Sequence, residues 1–77
     1  MSKNLELMAN QAKELLKNPN QVAEIKYLSQ SEANKLESFF SNSNYVSGIG
    51  NMKPEEIKNQ DEPYVLCVSY YGEVQNA

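Results

Sequence analysis

The sequence lacks histidine, arginine and tryptophan, and it contains a single cysteine among 77 residues. Without histidine, the side chain that most often acts as a general base near neutral pH is missing. Cys67 has no second cysteine for an internal disulfide and no histidine to activate it or to share a metal ion. We therefore predict that the chain is not an enzyme and that it holds no metal and no cofactor of its own.

The charge balance is acidic, with seven basic residues, all lysine, against ten acidic ones and a net charge of −3. Arginine is the residue best suited to bidentate recognition of phosphate, so its absence argues against nucleic acid as a partner. The acidic balance also argues against an anionic membrane surface. The longest apolar run, residues 64–68, is far shorter than a membrane span of about 20 residues. We expect a soluble chain made in the cytoplasm, with a product that could later be exported.

Apolar residues recur at helical spacing in three stretches and predict three short helices. The second is predicted to start at Asn18-Pro19, and the third at a capping box formed by Ser29 and Glu32. Residues 41–51 are predicted to be turn-rich, with Gly48 and Gly50 at flexible positions, and a short fourth helix is predicted around Pro54. The sequence thus predicts an all-α fold, a small bundle of three short helices plus a short fourth, followed by an extended, strand-prone C-terminal tail. The inward-facing residues of the three helices are Leu5, Met8, Ala12, Leu15, Leu16, Val22, Ala23, Ile25, Leu28, Ala33, Leu36, Phe39 and Phe40.

The tail, residues 64–77, begins with an uncharged segment of high β-propensity. Such a segment is typical of an aggregation-prone edge or of a chain that awaits a partner. We therefore divide the chain into a helical recognition module (1–58), a polar linker (59–63) and the extended segment (64–77). Cys67 is either a small apolar residue of a strand or a thiol meant for modification. Exchange of the tail between two copies would give a homodimer.

Two stretches, Asn18-Pro19-Asn20-Gln21-Val22 and Leu28-Ser29-Gln30-Ser31-Glu32, together with the tail, carry a resemblance. The chain resembles leader–core precursor peptides of the split borosin type, which are ribosomally made and then modified. The resemblance implies that a separate S-adenosylmethionine-dependent enzyme binds the helical module and methylates backbone nitrogens in the tail. The implied targets are Val65, Leu66, Cys67 and Val68. The implied enzyme-recognition residues are Leu15, Leu16, Val22, Ile25, Leu28, Leu36, Phe39 and Phe40.

Two further interpretations remain open. Tyr70-Tyr71-Gly72 is similar to the X-Tyr-Gly motif of splicease substrates, in which a radical enzyme excises part of the tyrosine. The other interpretation is a small interaction protein, such as an immunity protein, an antitoxin or a phage inhibitor. In that case the tail would add a strand to a partner's sheet. All of these interpretations give the chain a protein partner and place its function in the tail.

Overall fold

A computed structural model, which describes residues 3–41 and 44–72, shows two helices packed on one face of a three-stranded sheet. The strand order is β1-β3-β2, and both pairs of neighbours are antiparallel. The predicted all-α helical bundle with an extended tail is therefore wrong, because the chain has a two-layer α/β fold. The elements in chain order are α1 (Leu5–Leu15), β1 (Gln21–Leu28), α2 (Gln30–Ser38), β2 (Tyr45–Asn51), a 3₁₀ turn (Pro54–Glu56) and β3 (Tyr64–Tyr70).

The predicted second helix is strand β1 instead. Asn18-Pro19-Asn20 forms a turn, in which the Gln21 backbone N–H donates to the Asn18 carbonyl and Asn20 has a φ of 70°. This left-handed residue, of a type that tolerates such a φ, sends the chain away from the helical path that Pro19 was predicted to start. In β1, Ala23 and Ile25 then lie two residues apart and pack on the hydrophobic core, which is the spacing of a strand.

The predicted tail supplies the central strand of the sheet. β3 pairs with β1 on one side and with β2 on the other. Leu66 and Val68 are fully buried beneath the helices, and Val65 is buried on the opposite face. A central strand whose residues are buried or half-buried throughout is expected to be uncharged and rich in apolar residues. The composition that suggested an exposed segment is therefore that of a central strand, and residues 64–70 share one sheet with residues 21–28 and 45–51.

The two helices begin at clear capping residues and complete the hydrophobic core. The Asn4 side chain accepts from the Leu7 N–H at 3.0 Å at the start of α1. At α2, Ser29 and Glu32 form the capping box, so that prediction is confirmed. The buried side chains that the helices and the residues directly after them bring to the sheet are Ala9, Ala12, Leu16, Ala33, Leu36 and Phe40. Within residues 3–41 and 44–72, neither helix is long and apolar enough to cross a membrane.

A β-bulge interrupts β1 near its end, where the register with β3 shifts between Ile25 and Leu28. Tyr27 lies in this bulge with a φ of 65°, which is unusual for a bulky residue. The Lys58 ammonium lies 5.0 Å from the centre of the Tyr27 ring, and the Lys3 ammonium donates to the Tyr27 carbonyl. These contacts hold the bulge in place, and the bulge turns this end of β1 away from a regular edge.

Candidate protein-binding edge

The two edges of the sheet differ in how well they are protected against pairing with another strand. β1 carries Glu24 and Lys26 and ends in the bulge at Tyr27. Charged side chains and bulges are the devices that keep natural edge strands from pairing. β2, with the sequence Tyr-Val-Ser-Gly-Ile-Gly-Asn, has no charged residue, no proline and no break in its register with β3. The free edge of β2 is therefore the unprotected one.

The backbone groups that β2 leaves free follow from its pairing. The Tyr71 N–H donates to the Asn44 carbonyl at 2.9 Å, and the Met52 N–H donates to the Pro63 carbonyl at 2.8 Å. Asn44 and Met52, which flank β2, are both even-numbered. Bonded pairs alternate along an antiparallel ladder, so the backbone groups of the even-numbered residues of β2 face β3. The N–H and C=O groups of Tyr45, Ser47 and Ile49 then point outward. Within residues 3–41 and 44–72, no loop or side-chain group forms a hydrogen bond with these outward-pointing groups.

A groove of about 400 Å³ runs between the free edge of β2 and α2. One wall is a polar face of α2, where the spacing of the lining residues follows the helical repeat. The floor contains Phe40, whose ring meets Tyr45 edge-on with centroids 5.5 Å apart. The Ser47 hydroxyl donates to Glu37 Oε2 across the groove at 3.5 Å. The lining residues are Asn34, Glu37, Ser38, Phe40, Ser41, Tyr45 and Ser47.

Two lysines outside this groove form ion pairs that hold loops against the sheet. Lys3 Nζ lies 3.1 Å from Glu32 and 2.7 Å from Glu62, and Lys26 Nζ lies 2.5 Å from Glu56. The Ser29 backbone N–H, together with Lys3, lowers the pKa of the Glu32 carboxyl. Burial opposes the charge on Lys3, but its bonds to Glu62 and Glu32 outweigh this effect and raise its pKa. These pairs join residues that lie 29 to 59 positions apart in the sequence and so help to hold the fold together.

The face of the sheet opposite the helices, which we call the open face, carries apolar, polar and charged side chains. Ser69 lies between Val22 and Val46, and both valines are more than half exposed. Cys67 lies between Glu24 and Gly48 in the next row, with its Sγ 3.7 Å from Glu24 Oε2. Burial, and then the Glu24 carboxylate, raises the pKa of the Cys67 thiol. A protonated thiol is a weak nucleophile, so its surroundings do not activate Cys67.

The predicted modification residues lie in β3 and directly after it. Val65, Leu66 and Val68 are buried, and Cys67 and Tyr70 are half-buried. Tyr71 is exposed, whereas Gly72 is buried against Pro19 with a φ of 85°. Every one of the four proposed methylation targets is paired with a neighbouring strand through β3. An enzyme could reach their backbone nitrogens only after β3 had left the sheet.

The predicted enzyme-recognition residues do not form one surface. Leu16, Leu28, Leu36 and Phe40 are buried in the hydrophobic core, and Ile25 and Phe39 pack against it. Leu15 and Val22 are 73% and 63% exposed, on α1 and on the open face respectively. Most of these residues are therefore occupied in holding the helices on the sheet.

Sequence reasoning did not single out Glu37, Ser47 or the edge of β2. Tyr45, Ser47 and Ile49 lie two residues apart, which is the spacing of residues on one face of a strand. Gly48 and Gly50, which lie between and after them, favoured a loop instead. Within residues 3–41 and 44–72, no group of three or more Cys, Asp or Glu side chains is placed to hold a metal ion. Comparison with protein-family models, with curated proteins and with solved structures gave no match.

Proposed function

We propose that the protein is a small protein-binding module that accepts an extended segment of a partner as a fourth strand beside β2. The observation that carries this proposal is the contrast between the two edges. β1 has charges and a bulge, while β2 presents a regular seven-residue edge without either. From the sequence, the tail of this chain was expected to add a strand to a partner's sheet. In the present proposal the partner adds a strand to the sheet of this chain.

The geometry of β2 supports strand addition in two ways. The outward N–H and C=O groups of Tyr45, Ser47 and Ile49 can form a ladder with any extended chain, which supplies affinity independent of sequence. Each such bond contributes about 0.5–1.5 kcal/mol net. The groove beside α2 receives alternate side chains of the added strand, which supplies selectivity.

The test uses a proline at the free edge, with a matched proline at the protected edge. Ser47→Pro removes an outward N–H and leaves the β3 ladder intact, a position where an edge strand tolerates proline. Glu24→Pro does the same at β1. The backbone groups of Ala23 and Ile25 face Val68 and Leu66 of β3, so the backbone N–H of Glu24 points away from β3. A random-peptide phage library is panned on the wild type and on both variants, each checked by circular dichroism.

We expect peptides that are enriched on the wild type and on Glu24→Pro but not on Ser47→Pro. Amide exchange measured with an enriched peptide should slow at Tyr45, Ser47 and Ile49. Enrichment that survives Ser47→Pro, or no enrichment on the wild type, contradicts strand addition at β2.

The precursor interpretation makes a different prediction. Methylation of the Val65–Val68 backbone removes ladder donors from a strand that is paired on both sides, so β3 would have to be withdrawn first. The intact mass of the chain, produced together with the products of its neighbouring genes, separates the two interpretations. Methyl additions within residues 64–71, or loss of part of Tyr71, would favour a modified precursor over a binding module.

A further inference from the structure

Glu37 differs from the other half-buried glutamates of the described residues. There are four such side chains in residues 3–41 and 44–72, namely Glu32, Glu37, Glu56 and Glu62. Three of them form ion pairs with Lys3 or Lys26 at 2.5–3.1 Å. Glu37 has no lysine partner among the described residues, and its carboxylate accepts a long hydrogen bond of 3.5 Å from the Ser47 hydroxyl.

Among the residues that the structure describes, Glu37 is also the one charged residue that lines the groove beside β2. Ser47, which donates this hydrogen bond, is the middle one of the three residues whose backbone groups point outward from β2. A strand added antiparallel to β2 would place one residue opposite Ser47 at a Cα–Cα distance of about 5.5 Å, because outward-facing residues then form hydrogen-bonded pairs. The side chain of that residue would lie on the same face as Ser47, beside the Glu37 carboxylate.

We propose that the occupant of the groove is an extended peptide segment with a lysine or arginine opposite Ser47, whose cation pairs with Glu37. The proposal rests on the proposed function and adds the partner's chemistry to it. An incoming cation would complete the pattern that Lys3 and Lys26 establish for the other half-buried carboxylates. The net charge of −3 also favours a positively charged partner.

A second copy of this chain fits the groove less well. Pairing β2 with β2 of another copy about a two-fold axis near Ser47 would bring two Glu37 carboxylates towards each other with no cation between them. Two chains of net charge −3 would also repel. The charge therefore selects a basic segment of another protein over self-association.

The experiment is a double-mutant cycle on a peptide enriched by the wild-type protein in the library selection. Its basic residue is changed to norleucine, and Glu37 is changed to Gln in the full chain. Exposed Glu14, on α1, is changed to Gln as the matched control. Dissociation constants are measured by fluorescence anisotropy at two salt concentrations, and Glu37→Lys is panned separately against the same library.

We expect the norleucine peptide to bind the wild type about tenfold more weakly, as for the loss of a charge-assisted hydrogen bond. The same change should have little effect on binding to Glu37→Gln, while Glu14→Gln should behave as the wild type. Panning on Glu37→Lys should select Asp or Glu at the same position.

Enriched peptides without a basic position, or a basic residue that contributes equally with and without Glu37, would overturn this inference and leave strand addition intact. Peptide binding that is unchanged by Ser47→Pro would instead contradict the proposed function itself. A wild-type protein that is a dimer by analytical ultracentrifugation, and a monomer as Ser47→Pro, would show that a second copy occupies the edge and would also overturn the inference.

Discussion

The position of residues 64–70 at the centre of the sheet makes a prediction that a single pair of substitutions can test. Val68 and Val46 lie in neighbouring strands on opposite faces of the same sheet. Val68 is fully buried beneath the helices, whereas Val46 is 56% exposed on the open face. The same change, valine to alanine, therefore removes the same atoms and the same β-propensity at both sites but removes buried contacts only at Val68.

The magnitude follows from the burial. Val68→Ala removes two methyl groups from the hydrophobic core, at about 0.8 kcal/mol each. Incomplete collapse of the cavity adds roughly 1 kcal/mol, which brings the loss of unfolding free energy to about 2–3 kcal/mol. Val46→Ala should stay within about 0.5–1 kcal/mol, the range for exposed strand positions. A chain of this size has on the order of 4–12 kcal/mol in total, so the Val68 variant loses a large share.

Urea unfolding followed by circular dichroism measures both variants. With a slope of about 1 kcal/mol/M for a small domain, the midpoint of Val68→Ala should fall by roughly 2 M while the slope is unchanged. Equal midpoints for the two variants would refute the placement of β3. A tail outside the fold would give no shift at Val68, so this result would revive the division at residue 58.

Three further predictions concern single sites. Gly72→Ala should cost about 1–2 kcal/mol in urea unfolding, because φ is positive there and a Cβ would lie 3.1 Å from Pro19 Cγ. The folded-state pKa of Glu32 is lowered from 4.5, so its contribution to stability is present above pH 4.5 and disappears as the pH falls through the lowered value. Glu32→Gln should flatten this acid limb of the unfolding midpoint, and an unchanged limb would contradict the assignment. Cys67 should react with iodoacetamide at pH 7.5 more slowly than glutathione, and Glu24→Gln should speed the reaction; equal rates would contradict the raised pKa.

Local signals in the sequence were enough to place the two helices. The apolar spacing of residues 5–16 and the Ser29–Glu32 capping box predict α1 and α2, and both helices are present. Caps and helical periodicity act over a few residues, so they can be read without knowledge of the tertiary fold. The short fourth helix predicted around Pro54 is a single 3₁₀ turn.

The sheet could not be predicted from local sequence patterns, because its strand pairs join residues that are far apart in the chain. Val22, Ile25 and Leu28 fit a helical stripe, but in the strand Val22 lies on the open face and Ile25 faces the core, an arrangement that depends on pairing with β3. Gly48 and Gly50 suggested a loop, although Gly48 occupies an open-face position with free space around it, where a strand needs no side chain. With both partner strands missed, the strand-prone segment at 64–70 had no sheet to join and was interpreted as a tail.

The candidate site was invisible to sequence reasoning for the same reason. Glu37 and Ser47 are ten residues apart and meet only because α2 crosses beside the edge of β2. Nothing in the spacing of the acidic residues distinguishes Glu37 from glutamates that have lysine partners in the folded chain. Its difference appears only when the ion pairs of Lys3 and Lys26 are known.

The strand order also determines when the sheet can begin to form during synthesis. β1 and β2 lie on either side of β3 and do not pair with each other, so neither has a neighbour until residues 64–70 have left the ribosome. The first strand pairing must then close a loop from β3 to β1 or to β2, after both of those strands have been made. Until that moment the uncharged β2 and β3 segments are both unpaired, and they are the parts of a nascent chain most prone to associate with other chains. β3 comes after β1 and β2 in the chain and is thus the strand that allows the described sheet to assemble.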